Sequence, residues 1–208
     1  MGVLEKPVTV RASSLVDGKS CRKREFSYAN FLGRIIELSA SRNAPVLSFL
    51  SILIREVQTK GEAVVWVETA DSIFFPPDFV VNGVDLTALP VVWAPKVKDG
   101  VRAVEHLLRS NSFGLLVIDL PPHTIIDQGR LGKLARMADL NQAAVVLITG
   151  QEEGTSFTLG SIVSLRFVGA RTYEENSTYT CIVSAVKDKR DLPGWSHAEV
   201  FHAPDSMY

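Results

Sequence analysis

Five short apolar runs constrain the fold of this chain more than any other feature. Ile35–Leu38, Ala63–Val67, Val91–Trp93, Gly114–Asp119 and Ala143–Thr149 are strand-length and nearly free of polar interruption. Runs of that kind suit strands buried on both faces of a parallel sheet. Stretches of helical period alternate with them. Residues 45–59 place Leu47, Leu50, Leu53 and Ile54 at helical spacing, with Pro45 suited to the first turn. Asp99 is positioned to cap a helix running through Arg109, with Val101, Val104, Leu107 and Leu108 on one face. Asp127–Leu140 is also amphipathic. After Gly150 the pattern changes to period 2: residues 161–190 read as strands with a turn at Glu174–Ser177, and a last strand lies near Glu199–His202.

The order predicts an α/β fold: a mostly parallel central sheet flanked by helices, with an antiparallel C-terminal extension on one edge. The excursion 69–90, with Pro76-Pro77 and Asn82-Gly83, reads as irregular. Residues 1–25 are polar and end in a basic cluster, Lys19, Arg22, Lys23 and Arg24, with a strand-like Val8–Val10. They are expected to be a flexible segment ahead of one domain, 26–208. At 208 residues the chain can bury one sizeable core. Its net charge of −1 announces no global affinity for nucleic acid. Cys21 and Cys181 have no partner spacing for zinc and fit inert thiols in a reducing compartment. No apolar run is long enough to span a bilayer and no signal-peptide pattern opens the chain, so a cytoplasmic location is expected.

The junction between Leu38 and Val46 carries the most functional information. Strand, short loop, helix is the frame of a nucleotide-phosphate loop. Such a loop needs glycines so that backbone N–H groups can wrap the phosphates, a lysine to reach them and a Ser/Thr to hold Mg²⁺. Ser39-Ala40-Ser41-Arg42-Asn43-Ala44-Pro45 contains no glycine, and Val46-Leu47 follows where a Lys-Ser/Thr pair is needed.

The chain resembles the RecA family of recombinases over roughly residues 33–203. The resemblance rests on Gly33-Arg34-Ile35-Ile36-Glu37, Lys60-Gly61-Glu62, Asn82-Gly83-Val84-Asp85, Val117-Ile118-Asp119, Leu134-Ala135-Arg136-Met137 and Val186-Lys187-Asp188-Lys189. It implies a RecA-like core and marks what is missing. In its register Ala40 and Pro45 replace the two loop glycines, Val46 the lysine and Leu47 the Ser/Thr. Ser48 falls one place late. Asp119 matches the strand-end carboxylate that supports Mg²⁺ and water in the family, but as an orphan. Ala70 stands at the catalytic glutamate, with Glu68 and Asp71 nearby but out of register. Gly150 stands at the ATP-sensing glutamine. Pro121–Gln128 and Gln151–Leu159 are short where the family has long DNA-binding loops, and the second carries Glu152 and Glu153. The family's N-terminal docking helix has no counterpart in residues 1–32.

Degenerate chains of this type resemble the ImuA family, which implies a non-catalytic accessory of DNA-damage-induced (SOS) mutagenic translesion synthesis. Its implied partners are RecA, an ImuB-like polymerase-related protein and an error-prone DNA polymerase, with any DNA contact indirect or weak. No catalytic residue, cofactor, metal or membrane contact is expected. The candidate partner contacts are Lys187, Lys189 and Arg190, equally readable as a solvated charge run, and Phe74 and Phe75, more readily read as packing beneath their own loop. Lys19, Arg22, Lys23 and Arg24 are candidate DNA contacts. A DNA-binding recombination mediator and a residual ATPase with an unusual loop are the alternatives.

Overall fold

The computed structural model describes residues 25–40, 45–70, 74–150, 158–174 and 178–202. In chain order they form β1 (Arg34–Ala40), α1 (Val46–Thr59), β2 (Val64–Glu68), α2 (Pro76–Val81), β3 (Val91–Trp93) and α3 (Val97–Ser110). Then come β4 (Leu115–Leu120), α4 (Gln128–Asn141), β5 (Ala144–Gly150), β6 (Leu165–Tyr173), β7 (Thr178–Asp188) and β8 (Ser196–His202). The strands make one eight-stranded sheet in the order β3-β2-β4-β5-β1-β6-β7-β8. All pairs from β3 to β6 are parallel; β6–β7 and β7–β8 are antiparallel. The expected α/β architecture, with its antiparallel extension on one edge, is therefore present.

Alternation along the strands builds two cores. Ile36, Leu38, Val64, Trp66, Val117 and Val146 pack into the layer of α1 and α2; Ile35, Val65, Val67, Ile118, Val145 and Leu147 pack into the layer of α3 and α4. Helix α1 has no side-chain cap and relies on burial of Val46, Phe49, Leu50, Leu53, Ile54 and Val57. The first layer continues over the extension: Phe167, Cys181, Val183 and Ala185 join the α1 core. Trp195 closes it, packing edge-on against Phe167.

Two local expectations are corrected. The excursion 69–90 contains helix α2, six residues started by Pro76-Pro77, which suit a first turn because their missing N–H groups would be unbonded there anyway. It seats Phe79 against Trp66 and Phe74. Helix α3 begins at Val97, two residues before Asp99; Lys96 holds the cap position without a side-chain bond, and Asp99 lies within the first turn. By contrast Asp127 does cap α4, its carboxylate accepting from the Arg130 N–H at 2.9 Å. Residues 1–24, including Val8–Val10 and Cys21, lie outside the described residues. Cys181 is buried, and burial pushes its thiol up to about 11, as expected for an inert cysteine.

One buried ion pair joins the parallel core to the extension. Arg34 opens β1 and Asp188 ends β7, with β6 between them; Arg34 Nη2 donates to Asp188 Oδ1 at 2.6 Å, and both side chains are essentially inaccessible. The guanidinium also donates to the Ser164 Oγ and carbonyl, just ahead of β6. Asp188 further accepts from Trp195 Nε1 at 3.0 Å and from the Arg190 N–H at 3.0 Å. Gly33, at φ +66, makes the left-handed turn that presents Arg34; a Cβ there would crowd Asp139, Gln142 and Arg190. Burial raises the Asp188 carboxyl, but its bonds from Arg34, Trp195 and the Arg190 backbone outweigh that and hold it below the ordinary carboxylate value.

Asp188→Asn is expected to lose about 3–5 kcal/mol in urea unfolding, because it leaves a buried guanidinium uncompensated. The wild-type advantage is full above the ordinary aspartate pKa and disappears as pH falls through the lower folded value. A double variant, Arg34→Met with Asp188→Leu, recovers part of the loss.

Candidate functional site

The carboxyl ends of the parallel strands are where open α/β sheets place their ligands. Here that edge gathers Ser39 and Ala40 of β1, Asp119 of β4, Thr149 and Gly150 of β5, and Glu68 at the end of β2 with Thr69 after it. Register fixes the arrangement: Ser39 lies beside Thr149, Ala40 beside Gly150, and Asp119 between Glu68 and Ile148. Ser41, Arg42, Asn43 and Ala44 lie outside the described residues, as do Asp71 and the acids Glu152 and Glu153.

The far side of the loop is apolar. Pro45 takes the cap position of α1 and contributes its carbonyl to Phe49 N–H, but has no N–H of its own to offer an anion. Val46, where the resemblance leads one to expect a lysine, is 2% exposed and belongs to the α1 core; Leu47 is half-buried against that core. The helix start therefore presents methyl groups to the sheet where phosphate chemistry needs an ammonium and a hydroxyl.

The neighbouring strand ends are also closed by packing. Asp119 is 2% exposed, and its backbone carbonyl accepts from the Thr69 hydroxyl. Ala70 is solvent-exposed. Gly150 allows the short loop after β4 to cross the end of β5, since a Cβ there would stand 2.7 Å from Pro122 Cγ. A glutamine at that position would displace the loop. The loop itself is a tight turn in which Thr124 donates from both N–H and hydroxyl to the Pro121 carbonyl.

The basic run does not converge on this edge. Lys187 Nζ donates to the Gly160 and Ser161 carbonyls, each at 3.1 Å, and Lys189 Nζ to the Ile162 carbonyl at 3.5 Å. Arg190 donates to the Leu32 and Gly33 carbonyls and pairs with Asp139 at 3.8 Å. Each cation thus braces its own chain. Burial, with Lys189 and Arg166 nearby, holds the Lys187 ammonium below the ordinary lysine value. Phe74 and Phe75 separate: Phe74 packs on Trp66 at 5.1 Å between ring centroids, whereas Phe75 is exposed. Exposed apolar side chains also occur on α2 (Val80, Val81) and on edge strand β3 (Val91, Trp93). Lys19, Arg22, Lys23 and Arg24 lie outside the described residues.

Sequence reasoning missed the most unusual polar group near this edge. Glu37, mid-strand in β1, is completely buried. Its carboxylate accepts from the Thr149 hydroxyl at 3.4 Å and the Leu159 N–H at 3.3 Å. Burial pushes its carboxyl above the ordinary glutamate value, against the opposing charges of Arg166 and Lys187 and those two hydrogen bonds. Ser39 Oγ is buried with no hydrogen-bond partner among the described residues. The available signal was an acid inside the apolar run Ile35–Leu38.

Among the described residues no cluster of three or more His, Cys, Asp or Glu is arranged for a metal, and no helix is long and apolar enough to cross a membrane. The fold and this edge define an α/β protein with an eight-stranded mixed sheet and an apolar start to the helix that follows β1. No protein-family model and no curated protein matches the sequence.

Glu37→Gln is expected to raise stability at neutral pH by on the order of 1 kcal/mol, roughly 2–4 °C in melting temperature for a chain of this size. The sign follows from linkage: a carboxyl raised on folding costs nothing below the ordinary glutamate pKa, and its cost grows as pH rises through the folded value. Melting curves of both proteins should therefore converge in acid and separate toward pH 7.

Proposed function

We propose that this chain is a RecA-like protein kept for its surfaces: a non-catalytic accessory of DNA-damage-induced translesion synthesis that docks on RecA and on the polymerase partners of an ImuA-type cassette. One observation carries the reading. At the strand–loop–helix junction, the two positions that would hold phosphate and Mg²⁺ are Val46 and Leu47, and both pack into the α1 core. Pro122 lying against Gly150, where the sensing glutamine would stand, supports the same conclusion. So does the meeting of Arg34 and Asp188, which come from two of the segments that carry the resemblance.

The mechanism is binding. A partner with an apolar face covers the exposed Val91 and Trp93 of edge strand β3 and the exposed Phe75 ahead of α2. Lys189 and Arg190 are exposed but follow β7, which five strands separate from β3, and take no part in this surface. A DNA-binding mediator has less support, because Lys187, Lys189 and Arg190 all donate to the chain's own carbonyls. A residual ATPase would need a phosphate site from which lysine, hydroxyl and glycine are all missing.

Purified protein should bind RecA assembled on single-stranded DNA with a non-hydrolysable ATP analogue. Phe75→Asp with Trp93→Asp should weaken that binding at least ten-fold while leaving the circular dichroism spectrum unchanged. Absence of binding to RecA, free or on DNA, and to the polymerase subunits would remove the proposal.

A further inference from the structure

A second surface lies on the opposite helix layer from Phe75. The first two turns of α3 and the segment entering α4 line an open cavity of about 350 Å³, bounded by Val97, Lys98, Val101, Ile125, Ile126, Asp127 and Arg130. Its volume falls within the range of ligand clefts, ~300–1,000 Å³. Val101 and Ile126 are buried and form the floor. Val97 is half-buried, while Ile125 is 85% exposed, so a large aliphatic side chain stands in water beside an apolar depression.

The rim is cationic. The Lys98 and Arg130 side chains are exposed and have neither an ion pair nor a hydrogen bond among the described residues. This contrasts with Lys133 and Arg109 further along the same two helices, which share Glu105. The one lining acid, Asp127, is committed to the α4 cap through the Arg130 N–H. Asp99, the next acid along α3, does not line the cavity.

We infer that this cavity is a peptide-docking site for a short acidic segment of another protein, one that inserts one or two large apolar side chains between Val97 and Ile125 and sets carboxylates against Lys98 and Arg130. Charge complementarity selects the acid and the apolar floor selects the anchor. The lining favours peptide over nucleic acid, because no aromatic side chain is present to stack a base. The inference does not depend on RecA binding and concerns different residues.

Selection of a displayed random dodecapeptide library on the full chain tests it. Enriched peptides should combine Asp or Glu with Leu, Ile or Phe. The best of them, synthesised with a fluorophore, should bind with a salt-dependent affinity that falls at least ten-fold in Lys98→Glu/Arg130→Glu and about five-fold in Ile125→Ser. Both variants change exposed side chains, and unchanged melting temperatures would show that the fold is intact. The inference is overturned if no peptide is enriched, if enriched peptides lack acids, if the variants leave binding unchanged, or if labelled dT12 occupies the site in preference. Failure here with RecA binding intact leaves the proposed function standing, and the reverse outcome leaves this site standing.

Discussion

The buried contact between Arg34 and Asp188 sets the relation between the two halves of the sheet. Residues 154 positions apart exchange a 2.6 Å charge-assisted bond while Trp195, Ser164 and the Arg190 backbone take the remaining hydrogen-bonding capacity. An ion pair out of water is tolerated only when its other donors and acceptors are met, and here they largely are. The consequence is positional. β1, the strand that leads to the loop before α1, is held in register with β6 and the extension at its start, while β5 holds it along its full length. The strand ends at the opposite edge inherit that alignment.

What the alignment delivers at that edge is apolar packing. In a phosphate loop, a helix N-terminus and backbone N–H groups converge on charge. Here α1 starts with Pro45, Val46 and Leu47, and its free energy comes from the face it buries, since it has neither a side-chain cap nor an acid in its first turn. The loop after β4 leans on Gly150, and the lysines and arginine of the basic run hold backbone carbonyls around the start of β1 and residues 160–162. These are stabilising uses of positions where nucleotide binding would need other chemistry. The buried Glu37 is the exception: it costs stability, and the polar groups around it reduce that cost without removing it.

Much of the architecture was legible because it is written in short-range periodicity. Apolar runs bounded by turns gave the strands, and helical spacing gave α1 and α4 to within a residue and α3 with its start three residues late. The strand order was not legible, because it depends on pairings between distant segments. Helix α2 escaped notice because six residues opening on two prolines show no period and bury little beyond Phe79. Asp99 was expected to cap α3, and Asp127 is the acid that does cap its helix. Val97 packs on the α3 layer, and the cap falls at Lys96, three residues ahead of Asp99. At the candidate site, the lost phosphate chemistry could be read residue by residue, since it rests on residue type. The internal engagement of Lys187, Lys189 and Arg190 could not, since the carbonyls they meet lie 26 to 158 residues away. The division of Phe74 from Phe75 likewise needed the packing of Trp66.

The central claim is that the junction between β1 and α1 binds no nucleotide because core side chains occupy the positions its chemistry requires. Titrating MgATP into the full chain by isothermal calorimetry tests this most directly. The account predicts no saturable heat up to millimolar nucleotide. A saturable isotherm with a micromolar Kd, abolished by a substitution in Ser39–Leu47, would contradict it.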